Sequence, residues 1–97
     1  MVTAETPTAA PIPASGLIVV LKGQPVTLGC NVTGNPTPEV TWTREGGKKF
    51  HNGRKTMIGK SLTFLETTSF HSGVYECLAE NSEGSPAKAR LHVEIMR

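Results

Sequence analysis

The spacing of four residues constrains this chain most: Cys30, Trp42 twelve residues later, and Tyr75 two residues before Cys77. Each sits where apolar and polar side chains alternate, the period of a strand with one buried face. Val26, Leu28, Cys30 and Val32 fall on one side, against Thr27, Gly29, Asn31 and Thr33. Val40 and Trp42 repeat the pattern against Thr41 and Thr43, and Tyr75, Cys77, Ala79 and Asn81 alternate with Val74, Glu76, Leu78 and Glu80. With these landmarks on the apolar sides of their strands, the strands must share one core. The same parity sends Leu62, Phe64 and Leu91 into it.

Turn chemistry separates these runs. Lys22-Gly23-Gln24-Pro25, Gly34-Asn35-Pro36-Thr37-Pro38 and Asn81-Ser82-Glu83-Gly84 carry the residues that break strands and supply positive φ. Leu17–Leu21 is an unbroken run of β-formers, expected to be an edge strand that changes sheets. A short edge strand is expected within Arg54–Ile58, its register unassigned. Ala87, Ala89, Leu91, Val93 and Ile95 finish inward, against Lys88, Arg90, His92 and Glu94. No helical period of useful length occurs, so the class is all-β, with seven to eight strands at sandwich spacing. Residues 1–10, rich in Thr, Ala and Pro with no apolar period, read as a flexible linker or tag. The folded domain is expected over residues 11–97.

Ninety-seven residues make one domain, and a net charge of +2 gives no compositional case for nucleic-acid binding. No apolar run approaches the ~20 residues that a membrane span needs. Met1-Val2-Thr3-Ala4 lacks the charged and apolar regions of a secretory signal and is read as the start of a domain taken from a longer protein. The missing signal therefore does not assign a compartment. His51, His71 and His92 are far apart in sequence, with no carboxylate pair, nucleophile motif or phosphate loop beside them. Each is expected to be structural or solvated. The sequence implies no enzyme, no cofactor and no metal site.

From Pro11 to Ile95 the chain resembles an immunoglobulin domain of the intermediate (I-set) type. The resemblance rests on Gly34-x-Pro36-x-Pro38 before Trp42, on Leu62-x-Phe64, and on Gly73-x-Tyr75-x-Cys77-x-Ala79-x-Asn81-x-x-Gly84. It implies a two-sheet Greek-key sandwich with a Cys30–Cys77 bridge between the sheets, Trp42 packed on that bridge, and a Tyr75 hydroxyl bonded to upstream backbone. A bridged pair also leaves no thiolate nucleophile. One position departs from the family. Domains of this type usually carry Asp two residues before Gly73, paired with a basic residue on strand D; here it is His71. A neutral imidazole cannot make that charge pair with Arg54 or Lys55.

The resemblance implies a non-catalytic binding or spacer module of a cell-surface adhesion protein or receptor. Its partners would be a cell-surface or matrix protein or neighbouring immunoglobulin domains, with self-association as one form of that contact. A second class stays open: intracellular relatives in muscle or cytoskeletal scaffolds, where the two cysteines would remain buried thiols. Three surface features are candidates for function. Asn31-Val32-Thr33 is a glycosylation triplet pointing outward, whereas proline excludes Asn35-Pro36-Thr37. Lys48, Lys49, Arg54, Lys55 and Lys60, with His51, form a basic stretch suited to a sulfated glycan or acidic surface, or simply a solvated edge. The outward face of the strands carrying Trp42, Cys77 and Leu91 offers Leu78 and Arg90 for protein contact.

Overall fold

The computed structural model describes residues 4–50 and 53–97. Among them eight strands form two sheets. They are β1 (Glu5–Ile12), β2 (Leu17–Leu21), β3 (Val26–Asn35), β4 (Glu39–Arg44), β5 (Thr56–Ile58), β6 (Ser61–Phe64), β7 (Gly73–Glu80) and β8 (Ala87–Met96). One sheet has the order β1-β3-β6, the other β2-β8-β7-β4-β5. Single 3₁₀ turns at Glu45–Gly47 and Ser69–His71 complete the connections. All pairs are antiparallel except β2 with β8, which run parallel.

The core is mostly the set that strand parity selects, with Phe50, 2% exposed, added from the connection between β4 and β5. Leu28, Trp42, Tyr75, Cys77, Leu91 and Val93 are essentially sealed from solvent, with Cys30, Val40, Leu62 and Phe64 beside them. Cys30 of β3 and Cys77 of β7 are disulfide-bonded across the two sheets, with their Cα atoms 6.5 Å apart. Trp42 lies directly opposite Cys77 in the β4–β7 ladder and joins the same cluster. Its indole N–H, too polar to bury alone, donates to the Gly59 carbonyl at 2.7 Å. That bond, with Gly59 N–H to the Val40 carbonyl at 3.0 Å, fixes β5 against β4. The short strand within Arg54–Ile58 is thus Thr56–Ile58, with Met57 opposite Trp42.

The start of the chain corrects the linker expectation. From Glu5 onward it is strand, not linker: β1 pairs with β3, Ala9 opposite Val32 and Ala10 opposite Asn31. Prolines hide such a strand from sequence reading, but β1 is an edge with one partner, so Pro7 and Pro11 forfeit few ladder bonds. Pro7 is buried, and the Thr8 and Thr33 hydroxyls hydrogen-bond across the pair. Close approach also depends on glycine. A Cβ added at Gly84, whose φ is +77°, would sit 2.5 Å from the Thr6 methyl. Residues 1–3 lie outside the described residues. The change of sheet falls between β1 and β2, where Gly16 N–H closes a turn onto the Pro13 carbonyl and His92 N–H bonds the Gly16 carbonyl at 2.7 Å.

The bridge closes a loop of about 48 residues, for which chain entropy gives roughly 4 kcal/mol. The low end of net stability for a small domain is roughly 5 kcal/mol. Reduction of Cys30–Cys77 should therefore remove most of the folding free energy. Urea titrations with and without reductant check this; a loss below about 1 kcal/mol would show that the rest of the core suffices.

Candidate binding surfaces

At the end of the sandwich where β4 and β8 finish and β7 begins, polar groups are buried together. The Tyr75 hydroxyl donates to the His71 carbonyl at 2.8 Å, the corner bond that the resemblance implies. His71 is itself buried, its ring 4.7 Å from that of Phe64. Its Nδ1 accepts Thr68 N–H at 3.0 Å, while Thr68 Oγ1 accepts Phe70 N–H at 3.3 Å. This is a capping box in which an imidazole replaces the usual carboxylate. A histidine fits here because one unprotonated ring nitrogen supplies the acceptor and the rest of the ring packs as apolar surface.

Arg44 is the residue that sequence reading missed. It is only 4% exposed, yet its guanidinium donates to three backbone carbonyls: Lys49 at 3.2 Å, Phe70 at 2.8 Å and Ser72 at 2.9 Å. The same group lies 4.9 Å from the Phe70 ring centre and 5.0 Å from that of Tyr75, within cation–π range. The signal was present, since the alternation that turns Val40 and Trp42 inward turns Arg44 inward as well. Burial pushes the Tyr75 hydroxyl pKa up from its ordinary value of 10.0, and the Arg44 charge opposes that shift.

The outer face of the five-stranded sheet is the broadest regular surface. One row across it runs Lys88, Leu78, Thr41, Ile58; the next runs Arg90, Glu76, Thr43, Thr56. Ile58 is 72% exposed and Leu78 half-buried, so the first row carries two apolar side chains, separated by Thr41, beside the charged Lys88, Arg90 and Glu76. Arg90 and Glu76 form an ion pair at 3.4 Å, a contact worth about 0–1 kcal/mol at such exposure. Leu78 and Arg90 are thus on one face as expected. Ile58 was missed because the register of β5 is set by pairing, not by its own short pattern.

The remaining candidates separate. Asn31 is exposed on the three-stranded sheet, the opposite side of the sandwich. Lys48 and Lys49 line a cleft beside Arg44. Lys60 falls in the turn after β5, where its carbonyl accepts Cys30 N–H at 3.0 Å. Arg54 and Lys55 are exposed between them, and His51 lies outside the described residues. Leu62, Leu91, Trp42 and Tyr75 are core. His92 is exposed on β8.

A family model described as an immunoglobulin domain matches residues 9–81. The chain is an immunoglobulin domain. It is 40% identical over 81 residues to muscle M-line assembly protein unc-89 of Caenorhabditis elegans, covering 76% of this domain and 1% of that protein. It is also 40% identical over 80 residues to human MAM domain-containing glycosylphosphatidylinositol anchor protein 2, covering 80% of this domain and 8% of that protein. The crystal structure of Dpr2 Ig1-Ig2 in complex with DIP-Theta Ig1-Ig3 superposes with a TM-score of 0.84 at 32% identity, over 95% of the domain and 32% of the matched chain. The domain therefore spans a small part of the relatives it matches.

The buried hydroxyl yields a pH prediction. Because the folded pKa of Tyr75 lies above its unfolded value, its neutral form contributes stability that is complete below about pH 10 and is lost as pH rises through the folded value. Tyr75 is the one tyrosine, so tyrosinate absorbance reports it alone. The phenolate should appear only as Trp42 fluorescence signals unfolding. Ionisation at about pH 10 in a still-folded domain would contradict the assignment.

Proposed function

We propose that this domain is a non-catalytic protein-binding module of a multidomain cell-surface adhesion protein or receptor, and that it engages its partner through the outer face of the five-stranded sheet. The observation that carries this reading is the row Lys88, Leu78, Thr41, Ile58, in which two partly or fully exposed apolar side chains lie among polar and charged neighbours. Such composition suits a transient interface, whose rim is wet and whose core excludes water. Another immunoglobulin domain, in a second copy or a different protein, is the favoured partner class. The structural relative above is a complex between immunoglobulin-domain proteins.

Two further observations support an extracellular setting. The Cys30–Cys77 bridge persists in oxidising compartments and is rare in the cytosol. Asn31 of the acceptor triplet is exposed, and a glycan there would cover the three-stranded sheet while leaving the other face open. The likeness to the M-line protein favours a second reading, a scaffold link inside muscle. There the cysteines would be thiols and Asn31 bare.

The two readings part in one set of experiments. Protein from the native host is assayed for free thiols and for carbohydrate on Asn31, and the domain is screened against displayed immunoglobulin ectodomains, its own included. The adhesion reading expects no free thiol and capture by at least one ectodomain. Leu78→Arg should abolish that capture, whereas Leu65→Arg, beyond β6 on the other side, should spare it. Two free thiols, bare Asn31 and no capture would overturn the adhesion reading and favour an intracellular scaffold.

A further inference from the structure

We propose that the cleft beside Arg44 is an oxyanion site that receives the sulfo groups of a sulfated glycan. The cleft holds about 470 Å³ and is lined by Arg44, Lys48, Lys49, Ser69, Phe70 and Ser72. It lies at the end of the sandwich, apart from the Leu78 row, so it stands or falls independently of the protein-binding face.

The case rests first on charge. Arg44 is nearly sealed, and among the described residues it has no carboxylate partner. Lys48 reaches the same place: a Cβ at Gly73 would lie 3.5 Å from Arg44 Nη2 and 4.0 Å from Lys48 Nζ. The two cations can be no farther apart than the sum of those distances. Like charges so placed repel, and neither lining residue nor ion pair among the described residues brings an acid between them.

Hydrogen-bond inventory points the same way. The carbonyls of Lys49, Phe70 and Ser72 already accept from Arg44. Ser72 Oγ accepts Ile95 N–H at 3.2 Å, which leaves its own hydrogen to donate. Arg44 Nη1 has a second hydrogen beyond the one given to Lys49. What the cleft presents is therefore donors: two ammonium groups, hydroxyls and a guanidinium edge. A tetrahedral oxyanion with three terminal oxygens accepts from several of these at once. Gly73 keeps the opening, since with φ at +139° it resists replacement by a larger residue.

A repeating polyanion is favoured over a single acidic side chain because the cations continue past the cleft. Ser69 is shared with a second depression lined by Lys22, Ile95 and Arg97. The basic surface thus joins Lys22 and Arg97, distant in sequence, to Lys48 and Lys49. It leaves out Lys60, which the sequence pattern had grouped with them.

Binding of a heparin octasaccharide at physiological salt tests the site. Lys48→Ala/Lys49→Ala should weaken it by about tenfold or more, while Lys60→Ala/Lys88→Ala, the same charge change elsewhere, should alter it by less than about twofold. The Lys48 Nζ resonance should shift on titration with the octasaccharide and stay in place with its desulfated form. Equal weakening by the two double variants would mean diffuse attraction and overturn the proposal, as would no binding by the parent domain. Competition by poly-aspartate as effective as by heparin would make the ligand an acidic protein and overturn the glycan assignment.

Discussion

The Cys30–Cys77 bridge and the indole beside it set the frame on which every other contact depends. A sandwich of this size has only two inner faces from which to build a core, and burial alone leaves such domains marginal. A covalent tie between β3 and β7 restricts the unfolded chain and holds the sheets in register at their middle. Trp42 then fills the adjacent space and, through its bond to Gly59, extends the order outward to the edge strand β5. Position and partner thus pass from a central constraint to the periphery.

The Tyr75 end of the sandwich is organised by a different interaction. There the core is closed by polar groups whose hydrogen bonds are met by backbone, with Arg44 Nε the exception among the described residues. Tyr75 serves the His71 carbonyl, His71 serves Thr68 N–H, and Arg44 serves three carbonyls. An unmet buried polar atom costs about 1–3 kcal/mol, so these bonds matter chiefly because their loss would be expensive. The family's usual acid two residues before Gly73 is absent, yet the turn is capped. The functional requirement at that position is an acceptor, and an imidazole nitrogen meets it.

Strand parity made most of this legible beforehand. Period-2 alternation located the core because one buried face per strand is a local consequence of the pleat. The same rule failed for Glu5–Ile12, whose prolines and small residues give no alternation although the backbone pairs with β3. Pairing there depends on Gly84 leaving room for Thr6, a long-range condition that no local pattern expresses. Arg44 follows the parity of β4, but its charge runs against the expectation that inward positions are apolar. Ile58 and Phe70 were not legible at all. One depends on the register of a three-residue strand, the other on a turn without period, and its ring is still 49% exposed.

Surface function follows from how the frame divides the exterior. The bridge and Trp42 commit the inner faces, so recognition is left to the two outer faces and the ends. On one outer face Asn31 stands exposed; on the other, Leu78 and Ile58 lie among polar and charged side chains. The end beside β7 differs from both, because a buried guanidinium lies under two surface lysines with its nearby carbonyl acceptors already engaged. One of the three charges there, that of Arg44, is held by the fold, while Lys48 and Lys49 are exposed. A fixed cation loses less conformational entropy on meeting an anion than a mobile lysine does, so Arg44, buried and held by three carbonyls, gives the two exposed lysines a charge whose position is set by the fold.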